Sequence, residues 1–416
     1  MNGDEVLIAN CKFYGNSVTK SGGAIYINTS NDSIQKCEFY SNSANWAGAI
    51  FLDYTANDTT IEFCKIYNNE ATAKGGGIYT NSDNTTWGLT ITNTIIRNNQ
   101  ATSKGGGIYF NESITTRLTH VTLYNNTSAE GNEIYKDDDA ATSVVLTNSI
   151  LWNDDEADVL EGDSVSAFYS IIKETDVYTN YGNVSNEDPE LTIRGLLTKA
   201  SSAAINNSIK TNIAFDIHGE SRPFGNSSDI GADEWIDSDR DGLPDWLEEY
   251  GVSTRGGDND EDGLNNISEY RLGTNPLDVD TDDDFLTDYI EIYTTKTDPI
   301  VFDDLAQNDL DGDGLTVSEE FDLGSNPVKL DTNGDGISDG VTHSLGLDPT
   351  ASDPDGDGLS TAQEQLLGTS PVLSDTDGDG LADNVDPNPT DADIALTQPE
   401  GDVTPPTIEL IFPEQN

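Results

Sequence analysis

Basic residues are scarce in this chain of 416 residues: 19 lysines and arginines stand against 77 aspartates and glutamates, a formal net charge of −58. Such a surface repels phosphate backbones and anionic headgroups, which argues against nucleic-acid and anionic-lipid partners. Cation binding and adaptation to salt are left open. Cysteine is nearly absent too, with only Cys11, Cys37 and Cys64. An odd count makes a poor disulfide framework. The even spacing of the three predicts one repeated position, a stack of small buried side chains. No run approaches the roughly 18 apolar residues of a membrane-spanning helix. The opening Met1-Asn2-Gly3-Asp4-Glu5 has neither a basic flank nor an apolar core, so it does not read as a signal peptide. Because the chain opens inside a repeat, we expect a fragment whose export signal lies upstream, and an extracellular or cell-surface location.

What the sequence has in abundance is internal repetition. Cys11-Lys-Phe-Tyr-Gly-Asn followed by Gly22-Gly23-Ala24-Ile25-Tyr26 returns as Cys37-Glu-Phe-Tyr-Ser-Asn with Gly48-Ala49-Ile50-Phe51, and as Cys64-Lys-Ile-Tyr-Asn-Asn with Gly75-Gly76-Gly77-Ile78-Tyr79. Thr94-Ile-Ile-Arg-Asn-Asn with Gly105-Gly106-Gly107-Ile108-Tyr109 comes next, then Val121-Thr-Leu-Tyr-Asn-Asn with Ile134-Tyr135, and a degenerate Ser149-Ile-Leu-Trp-Asn. Short alternating runs such as Leu89-Thr-Ile-Thr put apolar side chains on one strand face. Glycine and asparagine fill the corners, where positive φ is needed. Strands this short bury nothing alone, whereas coils stacked at roughly 4.8 Å bury a continuous core. The fold class expected for residues 1–235 is therefore all-β, a right-handed parallel β-helix, and the absence of a 3.6-residue period argues against helical repeats.

These asparagine-rich, Gly-Gly-Ala-Ile coils resemble the repeats of bacterial polymorphic outer-membrane proteins and related secreted β-helix proteins. Asp216-Ile-His-Gly-Glu-Ser-Arg222 followed by Asp229-Ile-Gly-Ala-Asp-Glu234 resembles the closing motif of secreted bacterial β-helix proteins. That places the end of the domain near Trp235.

Beyond Trp235 the period shortens to about 22 residues and the acidic excess concentrates. Asp237-Ser-Asp239-Arg-Asp241-Gly242-Leu243-Pro-Asp245-Trp-Leu-Glu248 carries oxygen side chains at positions 1, 3, 5, 9 and 12 and glycine at 6, the pattern of a twelve-residue calcium loop. Calcium takes six to eight hard oxygen ligands, so alternate carboxylates converge, the glycine permits the turn, and the carbonyl at position 7 (Leu243) and the carboxylate at 12 complete the shell. The second copy is Asp258, Asp260, Asp262, Leu264, Asn266 and Glu269. The third is Asp280, Asp282, Asp284, Asp288 and Glu291, with Phe285 in place of the glycine, so a strained or different turn is expected. The fourth is Asp309, Asp311, Asp313, Leu315 and Glu320, with Val317 at position 9. The fifth is Asp331, Asn333, Asp335 and Asp339, with Thr342 at position 12, and reads as the weakest. The sixth is Asp353, Asp355, Asp357, Leu359, Thr361 and Glu364, and the seventh Asp375, Asp377, Asp379, Asp383 and Asp386. Four or five carboxylates so close repel one another strongly without a cation, so Ca²⁺ is the expected cofactor and its binding is expected to be coupled to folding.

Several loops run into short amphipathic stretches ending at Gly273-Thr-Asn-Pro276, Gly324-Ser-Asn-Pro327 and Gly368-Thr-Ser-Pro371, which are helix stop signals. No helix is expected to enter a loop from its N-terminal side, so the paired helices of a calcium sensor are missing. The repeats resemble bacterial thrombospondin type 3 repeats over roughly residues 236–390. The resemblance implies a calcium-wrapped array with little core. Residues 391–416, with Pro405-Pro406-Thr-Ile408-Glu-Leu410, read as a linker or the start of an immunoglobulin-like module.

Parallel β-helices include polysaccharide lyases and hydrolases, so an enzyme carrying a calcium-binding spacer is the alternative to an adhesive, calcium-binding surface protein. Lys74 and Lys104 align one coil apart, with Trp46 before and Glu130 after, which makes them the best candidates for a polysaccharide-contacting strip. The simpler reading, corner residues ahead of the Gly-Gly turn, is preferred. No carboxylate pair stands out as acid and base, and no catalytic residue is assigned. His120 and His218 read as isolated and structural, and Arg222 as a partner of Asp216 or Asp229. Surface polysaccharide, or a host or neighbouring cell surface, is the expected partner besides calcium.

Overall fold

The structure, a computed structural model, describes residues 6–392 apart from 57, 82–87, 112–114, 138–142, 155–157, 163–164, 174–179, 193, 199–201, 253–254 and 303–304. The C-terminal segment 391–416 lies almost wholly outside the described residues. The chain forms two compact units, one of residues 1–281 with 299–301, the other of 282–298 with 302–416. The first two aspartate loops thus belong to the same unit as the coils.

The first unit is built on a parallel β-solenoid. One sheet stacks Leu7–Ala9, Ser33–Gln35, Thr59–Glu62, Gly88–Arg97, Thr115–Tyr124, Ser143–Thr147, Val165–Phe168 and Asn180–Gly182 in chain order. A second stacks Ile25–Ile27, Ile50–Leu52, Ile78–Thr80, Ile108–Phe110, Ile134–Lys136 and Leu160–Glu161, and a third Ser43–Trp46, Glu70–Lys74 and Gln100–Ala101. The isoleucine column pairs in register, with Ile50 against Ile25 and Ile78, and Ile108 against Ile78 and Ile134. Together with Ile34, Ile61, Ile91, Leu118 and Leu146 it fills the interior. The cysteines stack as expected: Cys11 donates its backbone N–H to Cys37 Sγ at 3.4 Å, and Cys37 and Cys64 are buried.

The coil corners differ from the sequence expectation in one respect. In each Asn-Asn pair only the first residue takes positive φ, as at Asn68, Asn98 and Asn125. The second points inward and bonds to the next coil. Asn16 Nδ2 donates to Asn42, Asn42 to Asn69, Asn69 to Asn99 and Asn99 to Asn126, at 2.8–2.9 Å. A buried ladder of amides therefore satisfies donors that the turning backbone would otherwise strand. The Gly-Gly corners are needed for close approach: a Cβ on Gly106 would stand 2.5 Å from the backbone of Thr127.

Outside the coils, Ile95, Tyr124, Ile150, Trp152 and Ile171 are covered by Leu196, Leu197, Ile230, Ala232 and Trp235 of the closing segment, then by Leu243, Leu247, Val252, Ile267 and Tyr270 of the first two repeats. Tyr270 Oη donates to the Leu197 carbonyl at 2.6 Å. Arg222 is 7 % exposed and pairs with Glu234 at 3.0 Å, while also donating to the carbonyls of Asp229 and Gly231. Its acidic partner is thus Glu234 and not the carboxylates of Asp216 or Asp229: Glu234 Oε2 lies 3.0 Å from Nη1, whereas Asp229 meets the guanidinium through its backbone carbonyl.

In the second unit the core is small: Leu286, Ile290 and Val317, with Phe285, Leu305 and Val328 packed against them. Among the described residues no helix is long and apolar enough to cross a membrane.

Candidate metal centres

Each aspartate loop is shaped by its own carboxylates. In the first, Asp237 accepts the backbone N–H of Arg240 at 2.6 Å and of Gly242 at 3.1 Å, Asp239 accepts that of Asp241 at 3.0 Å, and Asp241 that of Leu243 at 2.8 Å. The same four bonds recur on Asp258, Asp260 and Asp262, on Asp309, Asp311 and Asp313, on Asp331, Asn333 and Asp335, on Asp353, Asp355 and Asp357, and on Asp375, Asp377 and Asp379. Both oxygens at position 1 are held by these bonds, while positions 3 and 5 each use one oxygen of the side chain in them. Carboxylate oxygens of Asp237, Asp239 and Asp241 lie within 4.8 Å of one another, as do those of Asp258, Asp260 and Asp262, and of Asp309, Asp311 and Asp313.

The sixth-position glycines adopt φ between 97° and 106°, a region that bulky residues avoid. Phe285 nevertheless keeps the turn, at φ 78°, and its ring meets Phe321 edge-on at 5.8 Å. Aromatic packing there offsets a strained backbone. Leu286 donates to Asp284 at 2.9 Å as in the other loops. The division between the two units falls inside this loop, after Thr281.

Short helices follow the loops: Asp245–Glu249, Asn266–Leu272, Asp288–Ile290, Val317–Leu323, Asp339–Ser344 and Thr361–Leu367. The eighth loop residue caps most of them, and Thr316 with Glu319 and Ser360 with Gln363 form capping boxes. Gly273, Gly324 and Gly368 end three of them in the left-handed conformation. A helix beginning there brings the twelfth residue back over the loop. Glu320 is fully buried beside Asp311 and Asp313, and burial followed by those charges pushes its carboxyl up to about 8. Glu364, buried beside Asp355 and Asp357, is pushed up to about 7 for the same reasons, and Glu248 is raised by burial and by Asp239 and Asp241.

Position 9 behaves differently from the single-loop expectation. Asp245 accepts from Ser238, Asn266 from Asn259, Asp339 from Thr332 and Asp383 from Thr376, all at position 2 of their own loops. Asp339 instead adds its charge beside Glu320 and Asp311 of the preceding loop, and Asp383 beside Glu364 and Asp355. The backbone N–H of Gly340 donates to Asp313, and that of Asn384 to Asp357. Loops four and five, and six and seven, therefore act as pairs. Val317 leaves position 9 of loop four without an acid, and Asp339 of loop five places its carboxylate beside that loop's Glu320 and Asp311. Asp386 is half-buried and accepts the N–H of Asn388 at 2.8 Å.

The fit to a cation rests on oxygens that no protein donor reaches. Oδ2 of Asp311, Asp335, Asp355 and Asp377, Oε2 of Glu320 and both oxygens of Glu364 are closed to solvent and accept no hydrogen bond. Buried carboxylate oxygens are ordinarily satisfied, and a shell of such oxygens suits calcium. The carbonyls of Leu243, Leu264, Leu315 and Leu359 accept no backbone hydrogen bond among the described residues, which leaves them open for the same purpose.

On the solenoid, Trp46, Lys74, Lys104 and Glu130 do stack coil on coil. Both lysines are engaged, however. Lys74 Nζ donates to Tyr109 Oη at 2.6 Å, and Lys104 Nζ donates to Tyr135 Oη and pairs with Glu130 at 3.0 Å. The bond to Tyr135 raises the Lys104 ammonium above its ordinary value, the opposite of what a general base requires.

Two family descriptions match the sequence. The right handed beta helix region matches residues 1–128, and the bacterial TSP3 repeat matches residues 258–279 and 309–329. The N-terminal part is thus a parallel β-solenoid of that kind, followed by repeats of a calcium-binding type. No curated protein matches the chain.

Proposed function

We propose that this is an extracellular, secreted or surface-attached bacterial calcium-binding protein in which the solenoid presents a binding face and the loop array is a calcium-ordered spacer. The observation that carries this reading is the repeated cradle itself: buried glutamate and aspartate oxygens, without protein donors, converge in copy after copy. Asp237, Asp239, Asp241, Glu248 and their counterparts would hold the ions. The ions would supply neutralisation and cross-linking, not chemistry. Equilibrium dialysis of the intact chain tests it, with several calcium ions bound per chain expected and fewer after neutralising Asp311, Asp355 and Glu364. Binding of no ion, or of one, overturns the reading.

The engaged lysines favour adhesion over catalysis on the solenoid. Incubation with a panel of polysaccharides should show binding or no interaction, without cleavage. Cleavage abolished by a Lys74→Ala/Lys104→Ala double substitution would replace the adhesive reading with the enzymatic one.

A further inference from the structure

Outside the aspartate loops, four side chains with metal-ligating atoms converge where the closing segment meets the first repeat: Asp216, His218, Glu220 and Asp233, with one ligand atom of each within 4.8 Å of the others. We propose that they bind a divalent ion of the zinc class. The turn that gathers them is built by Asp216, whose Oδ1 accepts the backbone N–H of His218 at 2.9 Å and of Glu220 at 2.7 Å. Alternate residues 216, 218 and 220 are thereby aimed at Asp233, which is held by the N–H of Leu197 at 2.9 Å.

The imidazole of His218 is 10 % exposed, and the Asp216 and Asp233 side chains 0 % and 3 %. His218 Nδ1 stands 3.1 Å from Asp233 Oδ1 and 3.9 Å from Asp216 Oδ2. Ligands each about 2.1 Å from a zinc ion lie roughly 3.0–3.4 Å apart at octahedral or tetrahedral angles, so small adjustments close the shell. Glu220 Oε2 is closed to solvent and accepts no hydrogen bond. Three carboxylates therefore face a single imidazole, and the neighbouring Arg222 is committed to Glu234 and to two carbonyls. A buried charge excess of this kind is expensive unless paired with a cation. One nitrogen with three oxygens suits zinc better than calcium, which takes an all-oxygen shell. Trp246 stacks on the imidazole at 4.1 Å and 11°, so the ion would lock the closing turn under the helix of the first repeat.

The test is calorimetric titration of the intact chain with zinc chloride in saturating calcium, which keeps the oxygen-only loops filled. One site is expected, weakened at least tenfold by His218→Gln and by Glu220→Gln, and unchanged by His343→Gln, which removes an exposed histidine. Cobalt should quench Trp246 fluorescence in the wild type and not in His218→Gln. Circular dichroism checks that each variant is folded, and Glu220→Gln carries the test if His218→Gln is not. Absence of zinc binding by the folded chain, or equal affinity in the folded variants, overturns the proposal.

Discussion

The backbone N–H of Asn384 donates to Oδ2 of Asp357 at 3.3 Å, so the seventh loop is anchored on the fifth position of the sixth. Asp383, the residue before it, lends its charge to the site of Glu364. Asp383→Asn should therefore weaken calcium at the sixth loop, by about tenfold or roughly 1.4 kcal/mol, even though Asp383 lies in the seventh. Glu364→Gln should weaken the same ion, and the double variant should lose less than the sum, because the two residues act on one site. Calcium titration followed at the amide of Gly358 reads this directly; strict additivity would show the loops to be independent.

The amide ladder carries a second prediction. Asn99 accepts two hydrogen bonds from Asn69 and donates to the Ile66 carbonyl and to Asn126. Asn99→Ala should cost on the order of 3 kcal/mol, since it strands buried donors and acceptors on both neighbouring coils. Asn98, at φ 51°, should tolerate glycine with a change of no more than about 0.5 kcal/mol. Chemical denaturation in saturating calcium compares the two, and equal effects would mean that the ladder adds nothing beyond its turn.

That contrast also marks what the sequence made legible. The isoleucine column could be read because an apolar residue recurring with the coil has one place to go, the interior. The inward asparagines could not, since a corner role accounts for Asn-Asn pairs equally well until coil-to-coil bonds are seen. The aspartate turns were legible by position, because Asp-x-Asp-x-Asp-Gly shapes its own turn through local carboxylate bonds. The ninth position was not, since its placement depends on how one repeat docks on another. His218 looked isolated because its partners gather only through the turn made by Asp216 and through Asp233, fifteen residues away; the alternate spacing of Asp216, His218 and Glu220 was the available signal.

A pH dependence follows from Glu133, which is fully buried and ends the ladder by accepting from the backbone and side-chain amides of Asn126. Burial is the main cause that pushes its carboxyl up to about 8, from an ordinary 4.5. The folded state thus holds a proton that the unfolded chain has released. The stabilisation is complete below about pH 4.5 and is lost as pH rises through about 8, on the order of 3 kcal/mol between pH 5 and 8. Thermal unfolding of the calcium-loaded protein across that range should show the slope, and Glu133→Gln should flatten it whatever its effect on the level. An unchanged slope in the variant would assign the dependence elsewhere.

In the proposed function, calcium orders the aspartate loops while the solenoid holds together through its own core and amide ladder. Amide hydrogen exchange with and without a calcium chelator tests it most directly. Chelation should speed exchange at loop amides such as Gly314, Gly336, Gly358 and Gly380 by at least a hundredfold, and leave the interior strands around Ile78, Ile108 and Ile134 as protected as before. Equal protection of the loops in both conditions would mean that calcium does not order them.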